Sequence, residues 1–160
     1  MTQPALNRDF LEMIRALIDA DAEFLVVGAH AMAVHGVPRA TGDFDIWIRP
    51  SRENSERILQ ALYEFGAPVA EHGISIQDLE EPDTVYQIGL PPRRIDLMTG
   101  ISGVEFEDAW KSKVVVNLEG LAIPVIGRSE LIRNKRASGR AKDLIDLEIL
   151  ESAPGSQQKA

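Results

Sequence analysis

At 160 residues the chain can form one compact domain, burying about two-thirds of its unfolded surface. A hydrophobic share of 44% and a charged share of 26% are ordinary for a globular protein, and the absence of cysteine excludes disulfides, thiolate chemistry and zinc–thiolate sites. The formal charge of −8 argues against broad electrostatic binding of nucleic acid, although Arg128, Arg133, Lys135, Arg136, Arg140 and Lys142 against Glu130 make one local basic stretch.

The N-terminal Met1-Thr-Gln-Pro-Ala has no basic stretch leading into an apolar core, and no apolar run approaches the roughly 20 residues that span a bilayer. A cytoplasmic protein without membrane contact is the expectation. No internal repeat divides the chain, so residues 1–151 read as a single domain and Ser152 to Ala160 as a disordered tail.

Leu6, Phe10, Met13, Ile14, Leu17 and Ile18 recur at helical spacing and predict an amphipathic helix from about residue 5 to 20. Glu23-Phe-Leu-Val-Val-Gly is a short apolar run that suits a buried strand, and the helix formers of Ala29-His-Ala-Met-Ala-Val-His open a short helix directly after Gly28. Phe44-Asp-Ile-Trp-Ile-Arg alternates, with Phe44, Ile46 and Ile48 on one side and Asp43, Asp45 and Trp47 on the other. Pro50 stops that strand, Ser51 is the N-cap of a helix to Phe65, and Gly66 ends it. Residues 67–84 read as irregular and acidic. Val85-Tyr-Gln-Ile-Gly-Leu and Arg93-Arg-Ile-Asp-Leu-Met predict two strands around Pro91-Pro92, and Phe106 to Lys111 a turn or two of helix. A hairpin about Glu119-Gly120 and two closing helices, from near Ser129 and from about Arg140 to Glu151, complete an α/β (α+β) domain. Its mixed sheet has about five strands flanked by helices.

Strand geometry sets the Cβ atoms of Asp43 and Asp45 about 6.5 to 7 Å apart on one face, near enough to share a cation or hold two neighbouring ones. Mg²⁺ takes oxygen ligands and is usually held by one or two carboxylates together with substrate phosphates. Asp96, on another strand between Ile95 and Leu97, can complete the set or activate an acceptor hydroxyl. A solvated strand edge is the alternative for Asp-x-Asp alone, and the third carboxylate with the upstream glycine turn tips the balance towards a phosphoryl-transfer site. Gly28, where a strand gives way to a helix, presents backbone N–H groups to an anion, though it equally permits a tight turn. His30 and His35 lie five residues apart, off one helical face, so polar packing or a substrate contact is expected of them, not metal ligation. Arg39, Thr41 and Arg94 stand beside the carboxylates. The arginines can clamp triphosphate or neutralise the aspartates when no ligand is bound. Trp47 can stack on a base or fill the core. Lys135, Arg140 and Lys142 either form ion pairs with Asp143 and Asp146 or reach across to phosphates.

These segments resemble the nucleotidyltransferase superfamily, which shares a glycine turn, a strand Asp-x-Asp and a third strand carboxylate. The similarity runs through Val27-Gly-Ala-His-Ala-Met-Ala-Val-His-Gly-Val-Pro-Arg-Ala-Thr-Gly-Asp-Phe-Asp-Ile-Trp, Gly89-Leu-Pro-Pro-Arg-Arg-Ile-Asp-Leu-Met and Gly139-Arg-Ala-Lys-Asp-Leu-Ile-Asp, and covers most of residues 23–150. Lys135 and Arg140-Ala-Lys-Asp are also similar to elements of the AbiEii-type abortive-infection toxins. The resemblance implies a nucleotidyltransferase-like fold and transfer of a nucleoside monophosphate from a nucleoside triphosphate. Asp43, Asp45 and Asp96 would be the catalytic and metal-binding set for Mg²⁺ or Mn²⁺. Gly28, Ala29, Arg39, Thr41, Arg94, Lys135 and Lys142 would bind the nucleotide. Ala29 departs from the Gly or Ser of many active members, whose serine hydroxyl contacts the phosphate tail.

Three acceptors fit that chemistry: an RNA 3′ end, a protein side chain, or a small molecule such as an antibiotic. Two other readings compete with it. One is a catalytically weak protein of a toxin–antitoxin type system that binds nucleotide or a cognate protein partner. The other is a metal-dependent phosphohydrolase with water as acceptor.

Overall fold

The computed structural model describes residues 7–38 and 41–153. In chain order the elements are α1 (Arg8–Asp19), β1 (Phe24–Val27), α2 (Gly28–Val34), β2 (Asp43–Ile48), α3 (Arg52–Phe65), α4 (Val69–His72), α5 (Ile76–Glu80), β3 (Val85–Ile88), β4 (Arg94–Met98), α6 (Phe106–Lys111), β5 (Val114–Leu118), β6 (Leu121–Val125), α7 (Arg128–Ser138) and α8 (Ala141–Ser152). The strands form one mixed sheet in the order β3-β4-β2-β1-β6-β5. Neighbours β3 and β4, β2 and β1, and β6 and β5 run antiparallel, while β4 with β2 and β1 with β6 run parallel. The sheet therefore has six strands among the described residues where about five were expected.

The apolar stripe of α1 buries Phe10, Met13, Ile14 and Leu17. Phe10 stacks on Phe44 of β2 with ring centroids 4.7 Å apart, so α1 covers the Phe44–Ile46–Ile48 face of the sheet. Helix α3 packs along α1 and buries Ile58, Ala61 and Leu62. Its ends are those the residue types predict. Ser51 accepts a hydrogen bond from the Asn54 amide at 3.2 Å, and Gly66 closes the helix in the left-handed conformation at φ 94°. At the β5–β6 hairpin Glu119 and Gly120 both take positive φ, 54° and 80°, as a two-residue turn with the right strand twist requires.

One expectation changes, one open choice closes and one boundary moves by a residue. Residues 67–84 are not irregular throughout, because Gly73 caps α4 and the Ser75–Asp78 capping box starts α5. Trp47 lies in the core, 1% exposed, its ring edge-on to Phe106 at 5.0 Å between centroids, so it offers no open face for a base. Helix α8 runs to Ser152, one residue into the expected tail, and residues 154–160 lie outside those described. No helix among the described residues is long and apolar enough to cross a membrane.

Candidate active site

Strand pairing builds the site. Parallel β2 and β4 set Asp45 opposite Asp96 and Asp43 opposite Arg94, while antiparallel β1 sets Val27 opposite Asp45. Alternation then points Asp43, Asp45, Arg94 and Asp96 to one face, away from the face that α1 covers. The chain leaves β1 through Gly28, whose φ of +73° starts α2. A Cβ at Gly28 would collide with the Asp45 carboxylate, meeting its Cγ at 3.0 Å. Glycine is needed here twice over, for its backbone conformation and for the close approach of Asp45.

The carboxylates crowd one another. Burial pushes the Asp45 carboxyl up to about 6, and the nearby charges of Asp96 and Asp43 push the same way. Arg94 and Lys142 pull against this shift, which brings Lys142, at the start of α8, within electrostatic reach of Asp45. Asp96 is also raised above the ordinary carboxylate range, chiefly by burial, with Arg94 opposing. Arg94 Nη2 donates to Asp43 Oδ2 at 2.8 Å and to Asp96 Oδ2 at 3.3 Å. Its Nε lies 3.1 Å from Asp96 Oδ1, an ion-pair distance, yet neither atom makes an aligned hydrogen bond. No group of three or more His, Asp or Glu side chains among the described residues is arranged as a ready ligand set. The donor chemistry nevertheless fits a hard divalent cation: three carboxylates on two adjacent strands, one oxygen buried without a hydrogen bond, and mutual repulsion that Arg94 and Lys142 offset only in part. Asp43, Asp45 and Asp96 are the residues that would hold Mg²⁺ or Mn²⁺.

The other expected residues divide. Ala29 follows Gly28 in the first turn of α2. Thr41 is exposed, and its Oγ1 accepts from the Asp43 amide at 3.1 Å, which orders the entry to β2. Arg39 lies outside the described residues. Lys135 is buried, and its ammonium donates to Asp143 at 3.2 Å and Asp146 at 3.1 Å. Although burial opposes it, hydrogen bonds from Ser138 and Arg140 and the charge of Lys135 hold Asp143 at about 2. Here Lys135 fastens α7 to α8, and the charge of Lys142 is the one felt at Asp45. His30 sits edge-on to Phe10 and Phe44, its pKa lowered by burial, and His35 Nε2 pairs with the Ile126 carbonyl at 2.8 Å. Both are packing residues.

Sequence reasoning missed Gln87 of β3, which lies opposite Asp96 and whose side chain works with Arg94 against the rise in Asp96 proton affinity. The polar residue in an alternating strand was visible, but its neighbour depends on pairing register. A concavity of about 480 Å³, lined in part by Trp47, Arg49, Glu80, Thr99, Phe106 and Glu107, sits at the other ends of β2 and β4 and includes none of the three aspartates.

No protein-family model matches the chain, and no curated protein matches it in sequence. The solved structures do identify the architecture as the nucleotidyltransferase fold. The chain superposes on a protein of Thermotoga maritima provisionally described as a nucleotidyltransferase, with a TM-score of 0.55 at 19% identity over 92% of this chain and 93% of that one. It superposes equally, at 0.55 and 13% identity, on the lincosamide antibiotic adenylyltransferase LnuA in its lincomycin-bound form, over 94% of this chain and 99% of that one. At these identities the fold is what is shared.

Proposed function

We propose that this protein is a metal-dependent nucleotidyltransferase, moving a nucleoside monophosphate from a nucleoside triphosphate to a hydroxyl acceptor with release of pyrophosphate. The register of β2 and β4 carries the reading: it sets Asp45 beside Asp96 and Asp43 on the same face, with the Gly28 turn against Asp45. The shared fold of LnuA supports it. A divalent ion held by Asp43, Asp45 and Asp96 would supply neutralising charge to the triphosphate and polarise the acceptor oxygen.

The chain's own residues orient and balance the reaction. The small Gly28-Ala29 turn lets phosphate oxygens approach backbone N–H groups. Lys142, already within electrostatic reach of Asp45, offsets phosphate charge. Asp96, set beside Asp45 by the strand register, takes the acceptor hydroxyl's proton as that oxygen attacks the α-phosphorus and the bond to the β-phosphate oxygen breaks. The chain's charge of −8 favours a small-molecule acceptor over an RNA 3′ end. Ala29 supports a second reading, in which the groove binds nucleotide or a cognate partner of a toxin–antitoxin type system without turnover, because it offers no hydroxyl to the phosphate tail.

Calorimetric titration of each nucleoside triphosphate, with Mg²⁺ and then EDTA, tests the site. Metal-dependent binding that disappears in Asp43→Asn is the expected result. No nucleotide binding by well-folded protein would overturn the enzyme reading. Binding without pyrophosphate release in the presence of small hydroxylated acceptors would favour the second reading, and release of inorganic phosphate from ATP would point to hydrolysis.

A further inference from the structure

We infer that Arg94 is a tethered counter-ion that occupies the cation seat of the three aspartates and has to leave it before a divalent metal can bind. The inference rests on the nucleotidyltransferase reading only in taking Asp43, Asp45 and Asp96 as that seat.

The guanidinium bridges Asp43 and Asp96 from within the cluster, yet it fits them incompletely. An arginine built to hold a carboxylate usually engages both oxygens with two aligned N–H groups. Here Nη2 is shared between two aspartates, and Nε, though 3.1 Å from Asp96 Oδ1, points past it. Arg94 Nε and Asp96 Oδ1 are both left buried without a hydrogen bond, an arrangement that forfeits stability on each side. Arg94 makes no hydrogen bond to Asp45, the carboxylate that burial and repulsion disturb most. One guanidinium against three carboxylates leaves the face negative, and Lys142 offsets only one further charge. The seat is thus filled by a cation of the wrong shape and insufficient charge.

The side chain also has a way out. Arg94 opens β4 immediately after the exposed Pro91, Pro92 and Arg93, and its side chain is 28% accessible. Its backbone is held independently, by the bond from its amide to the Gly42 carbonyl at 3.3 Å. The guanidinium can therefore swing off the aspartates while the strand stays in place. Once outside, it stands beside the seat, where triphosphate oxygens give it a replacement anion. A metal ion alone must displace Arg94 unaided, whereas a metal ion arriving with triphosphate compensates it.

The test is Mn²⁺ binding to the full chain without nucleotide, followed by electron paramagnetic resonance of the free ion, with circular dichroism to confirm folding. Arg94→Gln and Arg94→Ala should each bind Mn²⁺ at least about tenfold tighter than the parent protein, because a unit charge a few ångströms from the ion is removed. Adding Asp45→Asn to Arg94→Gln should abolish the gain. Binding no tighter in the folded variants overturns the inference, as does a gain that survives Asp45→Asn. Failure of every variant to bind Mn²⁺ would also overturn it, while the nucleotide titration above would still report separately on the triphosphate site.

Discussion

Replacing Asp45 with asparagine should stabilise the metal-free protein at neutral pH, although it removes a residue assigned to the active site. The Asp45 carboxyl titrates at about 6 in the folded protein against a reference of 3.8, so folding holds its proton more tightly. Each unit is worth about 1.4 kcal/mol, and the shift would cost about 3 kcal/mol if fully expressed. Asp45 is only half-buried, so solvent screening reduces this to about 1 to 2 kcal/mol. The sign follows from linkage. Well below pH 3.8 the carboxyl is protonated in both states and the substitution is nearly neutral. Between about pH 4 and pH 6 the unfolded chain ionises first, and the parent protein progressively loses stability that the variant keeps. Urea unfolding of both proteins in EDTA, at unit steps from pH 4 to pH 8, measures the difference. A variant less stable than its parent at pH 8, or a difference that does not change with pH, would refute the crowding argument.

Gly28→Ala should destabilise the protein by well over the roughly 1 kcal/mol that a left-handed backbone alone imposes on alanine, and should weaken nucleotide binding through displacement of Asp45. Gly66→Ala, at φ +94° with nothing within 4 Å, isolates the backbone contribution, and equal effects in urea titrations would refute the close-contact explanation. Lys135→Met removes the buried ammonium that joins Asp143 to Asp146, although Asp143 keeps Ser138 and Arg140, and should lower stability by about 1.5 to 3 kcal/mol. Arg136→Ala, which breaks an exposed pair with Glu151, should change it by less than about 1 kcal/mol, and thermal melts compare the two. Ser51→Ala should lower stability by about 1 kcal/mol through loss of the α3 cap, again read by thermal melting.

What the sequence by itself determined was local. Period 3.6 in Phe10, Met13, Ile14 and Leu17 marked α1, and period 2 around Asp43 and Asp45 put both carboxylates on one face. Ser51, Gly66 and Glu119-Gly120 marked ends and turns, because capping and positive φ depend on a few adjacent residues. The short helices within 67–84 escaped notice because one or two turns are too brief to show a period. Tertiary structure decided everything that depends on which strands become neighbours. Parallel pairing of β2 with β4, whose partners lie 51 residues apart in sequence, set Asp45 against Asp96 and brought Arg94 between Asp96 and Asp43. It also engaged Lys135 with Asp143 and Asp146 and left Lys142 within electrostatic reach of Asp45. Residue type states which charges are available; only the packed fold determines which of them meet, since burial and distance set their energies.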